Sequence, residues 1–122
     1  MDTKYFEKIR IFDGGMGQEL LSKGLISKGT LWSASALIEK KFHKLVIDAH
    51  ISYINAGADI IVTNNFSARK IRFIQNKVLD KFQYANEQAG ILANKAREIS
   101  KQNILIAGSL PSQSDTYVED ER

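Results

Sequence analysis

The sequence predicts an α/β fold built around a parallel sheet. Three observations carry this. Short, largely apolar segments recur at Ile9–Phe12, Ile60–Thr63 and Ile104–Ala107. Strands buried on both faces of a parallel sheet read this way, apolar along their length rather than alternating. Helical periodicity fills the intervals between them, and each segment runs into glycine or small polar residues at its C-terminal end. Strand, helix, strand, helix, strand is the order of βαβ units.

Each element follows in order. Ile9–Phe12 ends at Asp13, and a short helix is expected after Gly17, through Glu19, Leu20 and Leu21, stopping near Gly24. Ser33 to Glu39 is expected to add a turn or two of helix with Ser33 as its cap. Phe42, Leu45, Val46, Ala49, Tyr53 and Ile54 recur at spacings of three and four, which puts them on one helix face. Gly57 is the expected stop, because glycine accepts the left-handed conformation a helix end requires. The second strand, Ile60–Thr63, follows Gly57-Ala58-Asp59. The next helix is expected over about Lys77 to Ser100, with Phe82, Ala85, Ala89, Leu92, Ala93, Ala96 and Ile99 on its apolar face. The third strand ends at Gly108-Ser109. Both connections exceed the ~30 residues of a minimal βαβ unit, leaving room for extra structure at the strand ends. Residues 111–122 change character and are expected to form a polar tail or loop, with Pro111-Ser112-Gln113-Ser114-Asp115 turn-forming and Glu119-Asp120-Glu121-Arg122 charged.

Composition narrows the class. The chain of 122 residues is 43% hydrophobic and 25% charged, values typical of one globular domain. The net charge of +3 is small and spread out. Lys40, Lys41 and Lys44, then Arg69, Lys70 and Arg72, are the densest basic stretches and read as solvated surface. Nucleic-acid binders concentrate charge on one face and, for single strands, interleave it with aromatic residues. No nucleic-acid partner is expected. The chain contains no cysteine, which rules out disulfides within it. No apolar run approaches the ~20 residues of a membrane span. The charged start, Met1 to Arg10, does not look like a signal peptide. A cytoplasmic location and no membrane partner are the expectations.

Asp13-Gly14-Gly15-Met16-Gly17 is the most informative stretch for chemistry. Parallel α/β folds place ligands at the C-terminal ends of their strands, where this run sits. Glycines let a backbone approach a ligand closely, and their amides suit a carboxylate or phosphate. Asp13 can accept hydrogen bonds from an ammonium group. Together Asp13, Gly14 and Gly15 could hold both charged ends of an amino acid. A plain strand-to-helix turn capped by Asp13 accounts for the same residues equally well. The glycine spacing is not the G-x-G-x-x-G of a dinucleotide site. Thr63, Asn64 and Asn65 end the second strand and read either as pocket-lining polar groups or as turn residues. Gly108-Ser109 carries less information. His43 and His50 are seven residues apart, too far for an i, i+4 metal pair, and read as structural or surface residues. Trp32 reads as a pocket wall or a packing anchor.

Taken in order, four stretches resemble the homocysteine S-methyltransferase family. They are Ile11-Phe12-Asp13-Gly14-Gly15-Met16-Gly17-Gln18-Glu19-Leu20, Leu31-Trp32-Ser33-Ala34 followed by Leu37, Asn55-Ala56-Gly57-Ala58-Asp59-Ile60-Ile61-Val62-Thr63-Asn64, and Ala107-Gly108-Ser109-Leu110. The resemblance covers nearly the whole chain. It implies the N-terminal part of a (β/α)₈ TIM barrel, with about three parallel strands and intervening helices, as one partial homocysteine-binding domain over residues 1–122. It implies transfer of a methyl group to the homocysteine sulfur, giving methionine, with homocysteine and a methyl donor as partners. Zinc is the family's cofactor and favours the thiolate. Asp13 and the backbone of Gly14 and Gly15 would meet the amino-acid end of homocysteine, and Thr63, Asn64 and Asn65 would line the same pocket.

The sequence departs from the family in two ways. Asn65 stands where the family usually has threonine. The family's three zinc-binding cysteines, in the second half of the barrel, have no counterpart here, so no zinc is expected on this chain alone. Three strands do not close a barrel. The expectation is an N-terminal fragment, inactive by itself, for which a C-terminal half-barrel chain is a possible partner. No residue is assigned as catalytic or metal-binding. Two alternatives stand beside this: a non-catalytic partial barrel that binds an amino acid or partner chain, and a small α/β module that binds phosphate.

Overall fold

The computed structural model describes residues 2–112. The charged run expected at 119–122, and most of the expected tail, lie outside them. The chain runs through helices α1 (Met16–Ser22), α2 (Ser35–Ile38) and α3 (His43–Asn55), strand β1 (Ile60–Val62), helices α4 (Lys70–Gln75) and α5 (Phe82–Ser100), and strand β2 (Leu105–Ala107). Short 3₁₀ turns lead into the helices, and one at Thr3–Glu7 precedes them all.

β1 and β2 pair in parallel, with Ile60, Ile61 and Val62 opposite Leu105, Ile106 and Ala107. The expected first strand is reduced to a single parallel bridge between Phe12 and Ile60. The backbone still runs alongside β1, since the Asp13 amide donates to the Ile60 carbonyl at 3.0 Å and the Ile60 amide to the Ile11 carbonyl at 3.1 Å. The Asp59 carboxylate stops this pairing from extending. Its Oδ2 accepts from the Ile11 amide at 2.9 Å, taking a donor at the edge of the segment. Arg10 turns back, its Nε donating to the Tyr5 carbonyl at 2.7 Å and its guanidinium lying 3.8 Å from the Tyr5 ring centre.

Three helices end in the same way. After α1, Gly24 at φ +103° donates to Leu21 and Leu25 donates to Leu20. After α3, Gly57 at φ +111° donates to Ile54 and Ala58 to Tyr53. These are Schellman closures, and the two glycines are where the sequence predicts stops. The third closure ends α4, where Lys77 at φ +58° donates to Ile74 and Val78 donates to Phe73. The helix expected from Lys77 therefore begins later, at Phe82, and Lys77 belongs to the end of a helix the sequence reading does not contain. Ser33 is likewise not the expected cap. It lies inside a 3₁₀ turn, and α2 starts at Ser35 with no side-chain cap.

The core lies between helices and sheet. Leu20, Leu31, Leu37, Val46, Phe73 and Leu92 pack together on one side. Ile54, Ile61, Ala93, Ala96 and Ile104 form a second group where α3 and α5 cover the sheet. Alanines 85, 89, 93 and 96 line the buried face of α5, and their small size lets α3 approach closely. His50 is fully buried on α3, and neither ring nitrogen has a hydrogen-bond partner among the described residues. Burial holds it neutral, pushing its pKa down from 6.5 to about 4. Among the described residues no helix is long and apolar enough to cross a membrane.

Candidate functional site

A cleft of about 700 Å³ opens at the C-terminal ends of the strands. The Asp13–Gly17 run, the loop carrying Thr30, Trp32 and Ser33, and the residues that follow β1 surround it. The parallel order brings these segments to one end of the sheet, as expected for ligand sites in this class.

Asp13 anchors the first wall. Its backbone is fixed to β1, and its Oδ2 accepts from the Val62 amide at 2.9 Å. Burial raises its pKa above the usual carboxylate value, and this hydrogen bond only partly offsets the effect. A carboxylate that pays for its charge in this way gains from a cationic partner. Gly14 and Gly15 follow. Among the described residues, their backbone amides have no hydrogen-bond acceptor. Tyr53 stands behind them and donates to the Gly15 carbonyl at 3.2 Å. A Cβ at Gly14 would lie 3.0 Å from the Tyr53 hydroxyl, and one at Gly17 would fall within the Trp32 indole. A side chain at Gly17 would force the indole to move, and one at Gly14 would crowd the tyrosine ring.

Trp32 forms the opposite wall. Its backbone takes φ +51°, ψ −127°, a conformation that side chains other than glycine rarely adopt and that costs about 1–3 kcal/mol. Neighbouring bonds hold it there. Arg72 Nη1 donates to the Thr30 carbonyl at 2.6 Å, and the buried Asn64 amide donates to the Ser33 carbonyl at 3.1 Å. α4 thus supports the loop from below, with Asn76 Nδ2 also donating to Thr30 Oγ1 at 2.7 Å.

The polar residues after β1 divide. Thr63 and Asn64 line the cleft, but both are already bonded within the fold. The Thr63 hydroxyl donates to Asn65 Oδ1 at 2.7 Å and accepts from the Ser109 amide at 3.0 Å. Asn65 is not among the lining residues. Its amide donates to Asn86 Oδ1 at 3.1 Å and to the Ser109 carbonyl at 3.2 Å, tying the ends of β1 and β2 to α5. The six expected residues are therefore brought to one end of the sheet, five at the cleft and Asn65 behind its wall. Sequence reasoning missed Tyr53, read as a packing residue, and Arg72, read as solvated surface. No local motif marks either one, since both act across long sequence separations.

The described residues do not assemble a zinc site. Among the described residues, no three His, Cys, Asp or Glu side chains come together. His50 is sealed in the core, and His43 Nε2 lies 2.8 Å from the Leu37 carbonyl. Among the described residues, Asp13 is the only one of these four types in the cleft lining.

Comparison with known proteins extends the picture. The profile of the homocysteine S-methyltransferase family matches residues 10–121. The homocysteine S-methyltransferase of Escherichia coli is 32% identical over 115 residues, covering 85% of this chain and 35% of the relative. Homocysteine S-methyltransferase 1 of Zea mays is 36% identical over 64 residues, covering 52% of this chain and 19% of the relative. The chain thus spans about a third or less of these relatives' length. The solved metallated form of the E. coli homocysteine methyltransferase superimposes with a TM-score of 0.74 at 29% identity, covering 89% of this chain and 40% of that one. The fold is accordingly part of the TIM barrel of these enzymes. Profile, sequence and fold agree over the same stretch, and the chain belongs to the homocysteine S-methyltransferase family.

Proposed function

We propose that this chain supplies the amino-acid-binding part of a homocysteine S-methyltransferase. The observation that carries the reading is the Asp13-Gly14-Gly15 loop. It sets a half-buried carboxylate at the mouth of the cleft beside two amides that have no acceptor among the described residues. The ammonium group of homocysteine would bind Asp13, and its carboxylate would take the Gly14 and Gly15 amides. Thr63 and Asn64 would shape the wall, with Asn65 holding Thr63 in place. The sulfur then points into the cleft, where the reaction would convert homocysteine to methionine using a methyl donor.

The chain's own contribution is binding and orientation. Zinc, when present in such an enzyme, favours the thiolate form of the sulfur. Its thiolate ligands must come from outside these 122 residues, which contain no cysteine. A C-terminal half-barrel carrying them is the partner this reading requires, and the chain alone would not turn over substrate. A place in methionine biosynthesis in the cytoplasm follows from the same reading.

Calorimetric titration of the chain with L-homocysteine tests it. Binding that Asp13→Asn weakens at least tenfold supports the reading. Equal affinity in the two proteins would remove Asp13 from the site. Phosphate raising the melting temperature while homocysteine does not would favour the phosphate-binding module.

A further inference from the structure

The glycine loop is flexible by composition, yet binding two charged groups needs it held in one shape. Tyr53 is placed to do this from outside the cleft. It rises from the C-terminal end of α3, where Ala58 donates to its carbonyl at 3.0 Å. Its ring packs against the second core group, so its position is set by the fold and not by a ligand. Its hydroxyl donates to the Gly15 carbonyl at 3.2 Å, and its ring edge would sit 3.1 Å from a Cβ on Gly14. The pairing spans 38 residues in sequence, so it is tertiary structure and not a local turn.

We infer that Tyr53 is a positioning residue for the amino-acid loop. By holding the Gly15 carbonyl on the helix side, together with the Glu19 amide at 3.4 Å, it fixes the peptide plane that joins Gly15 to Met16 and so limits rotation where the loop enters α1. Without the hydroxyl, Gly15 regains backbone freedom that must be lost again when ligand binds. The identity of the ligand rests on the function proposed above; the pinning of the loop does not.

Tyr53→Phe keeps the ring and removes only the hydroxyl. In the full chain, L-homocysteine affinity should fall about tenfold. Backbone order parameters of Gly15 and Met16, from nitrogen relaxation by NMR, should fall while those in α5 stay unchanged. Unchanged values at both residues would overturn the inference, whatever the affinity. An equal fall in α5 would also overturn it, since it would show general loosening in place of positioning. If the parent chain binds no homocysteine, the functional reading fails and the order parameters alone decide the role of Tyr53. Should Tyr53→Phe not fold, the parent chain decides: order parameters at Gly15 and Met16 as high as those in α5 support the pinning, and lower ones overturn it.

Discussion

Lowering the pH from 7.5 to 5 should destabilise the protein by about 2 kcal/mol through His50 alone. The residue is fully buried, neither ring nitrogen is bonded to any described residue, and burial pushes its pKa from 6.5 down to about 4. The unfolded chain takes up a proton below about 6.5, while the folded protein resists protonation until about 4. The stability is therefore intact above 6.5 and is lost as the pH falls towards 4. A depression of this size is worth about 3 kcal/mol in full, and about two-thirds of it is gone by pH 5. Carboxylates titrate in the lower part of this range, so a reference protein is needed. His50→Leu has similar volume and no titrating group. Urea unfolding of both proteins at pH 7.5 and 5 should show the parent losing about 2 kcal/mol more than the variant. At pH 7.5 the variant should already be more stable by about 1–3 kcal/mol, because two unsatisfied polar atoms leave the core. Parallel pH profiles for the two proteins, or an NMR titration of His50 centred near 6.5, would refute the reasoning.

Other expectations concern the loop and the core. Asp13→Asn should leave the protein at least as stable at pH 7 while weakening homocysteine binding. The raised pKa of Asp13 means that its ionisation costs folding energy as pH rises through that value, and asparagine still accepts from Val62. Thermal melts beside calorimetry check both halves. Gly17→Ala should lower stability by about 1–3 kcal/mol in urea unfolding, because its Cβ would enter the Trp32 indole. Phe73→Ala should cost about 3–5 kcal/mol in the same measurement, since Phe73 is fully buried on α4. Lys77→Gly should raise stability by about 0.5–1 kcal/mol by removing a side chain from the left-handed end of α4.

Burial pattern and glycine punctuation made most of the architecture legible. Val46, Ala49 and Ile54 face the core as their spacing implies, and Gly24 and Gly57 close their helices in the conformation that favours glycine. The failures share a cause. Lys77 closes a helix without being glycine or asparagine, so nothing in the sequence marked the end of α4 or separated it from α5. Ser33 has the composition of a cap, but its backbone is committed to the strained Trp32 turn and its hydroxyl lies 3.4 Å from that of Ser67. Ile9–Phe12 has strand composition, yet the carboxylate of Asp59 takes one of its donors. At the cleft, the Asp13 loop was visible because its residues are contiguous. Tyr53 and Arg72 were not, because their roles depend on contacts 38 and 42 residues away.

Trp32 has one more consequence. The sequence contains a single tryptophan, and the fold spends backbone energy to set it against Gly17 at the rim of the cleft. The residue is 38% exposed, so it keeps contact with water that a molecule entering the cleft would displace. Tryptophan emission, excited apart from the four tyrosines, therefore comes from one place, and a molecule entering the cleft there would be readable in it without any attached dye.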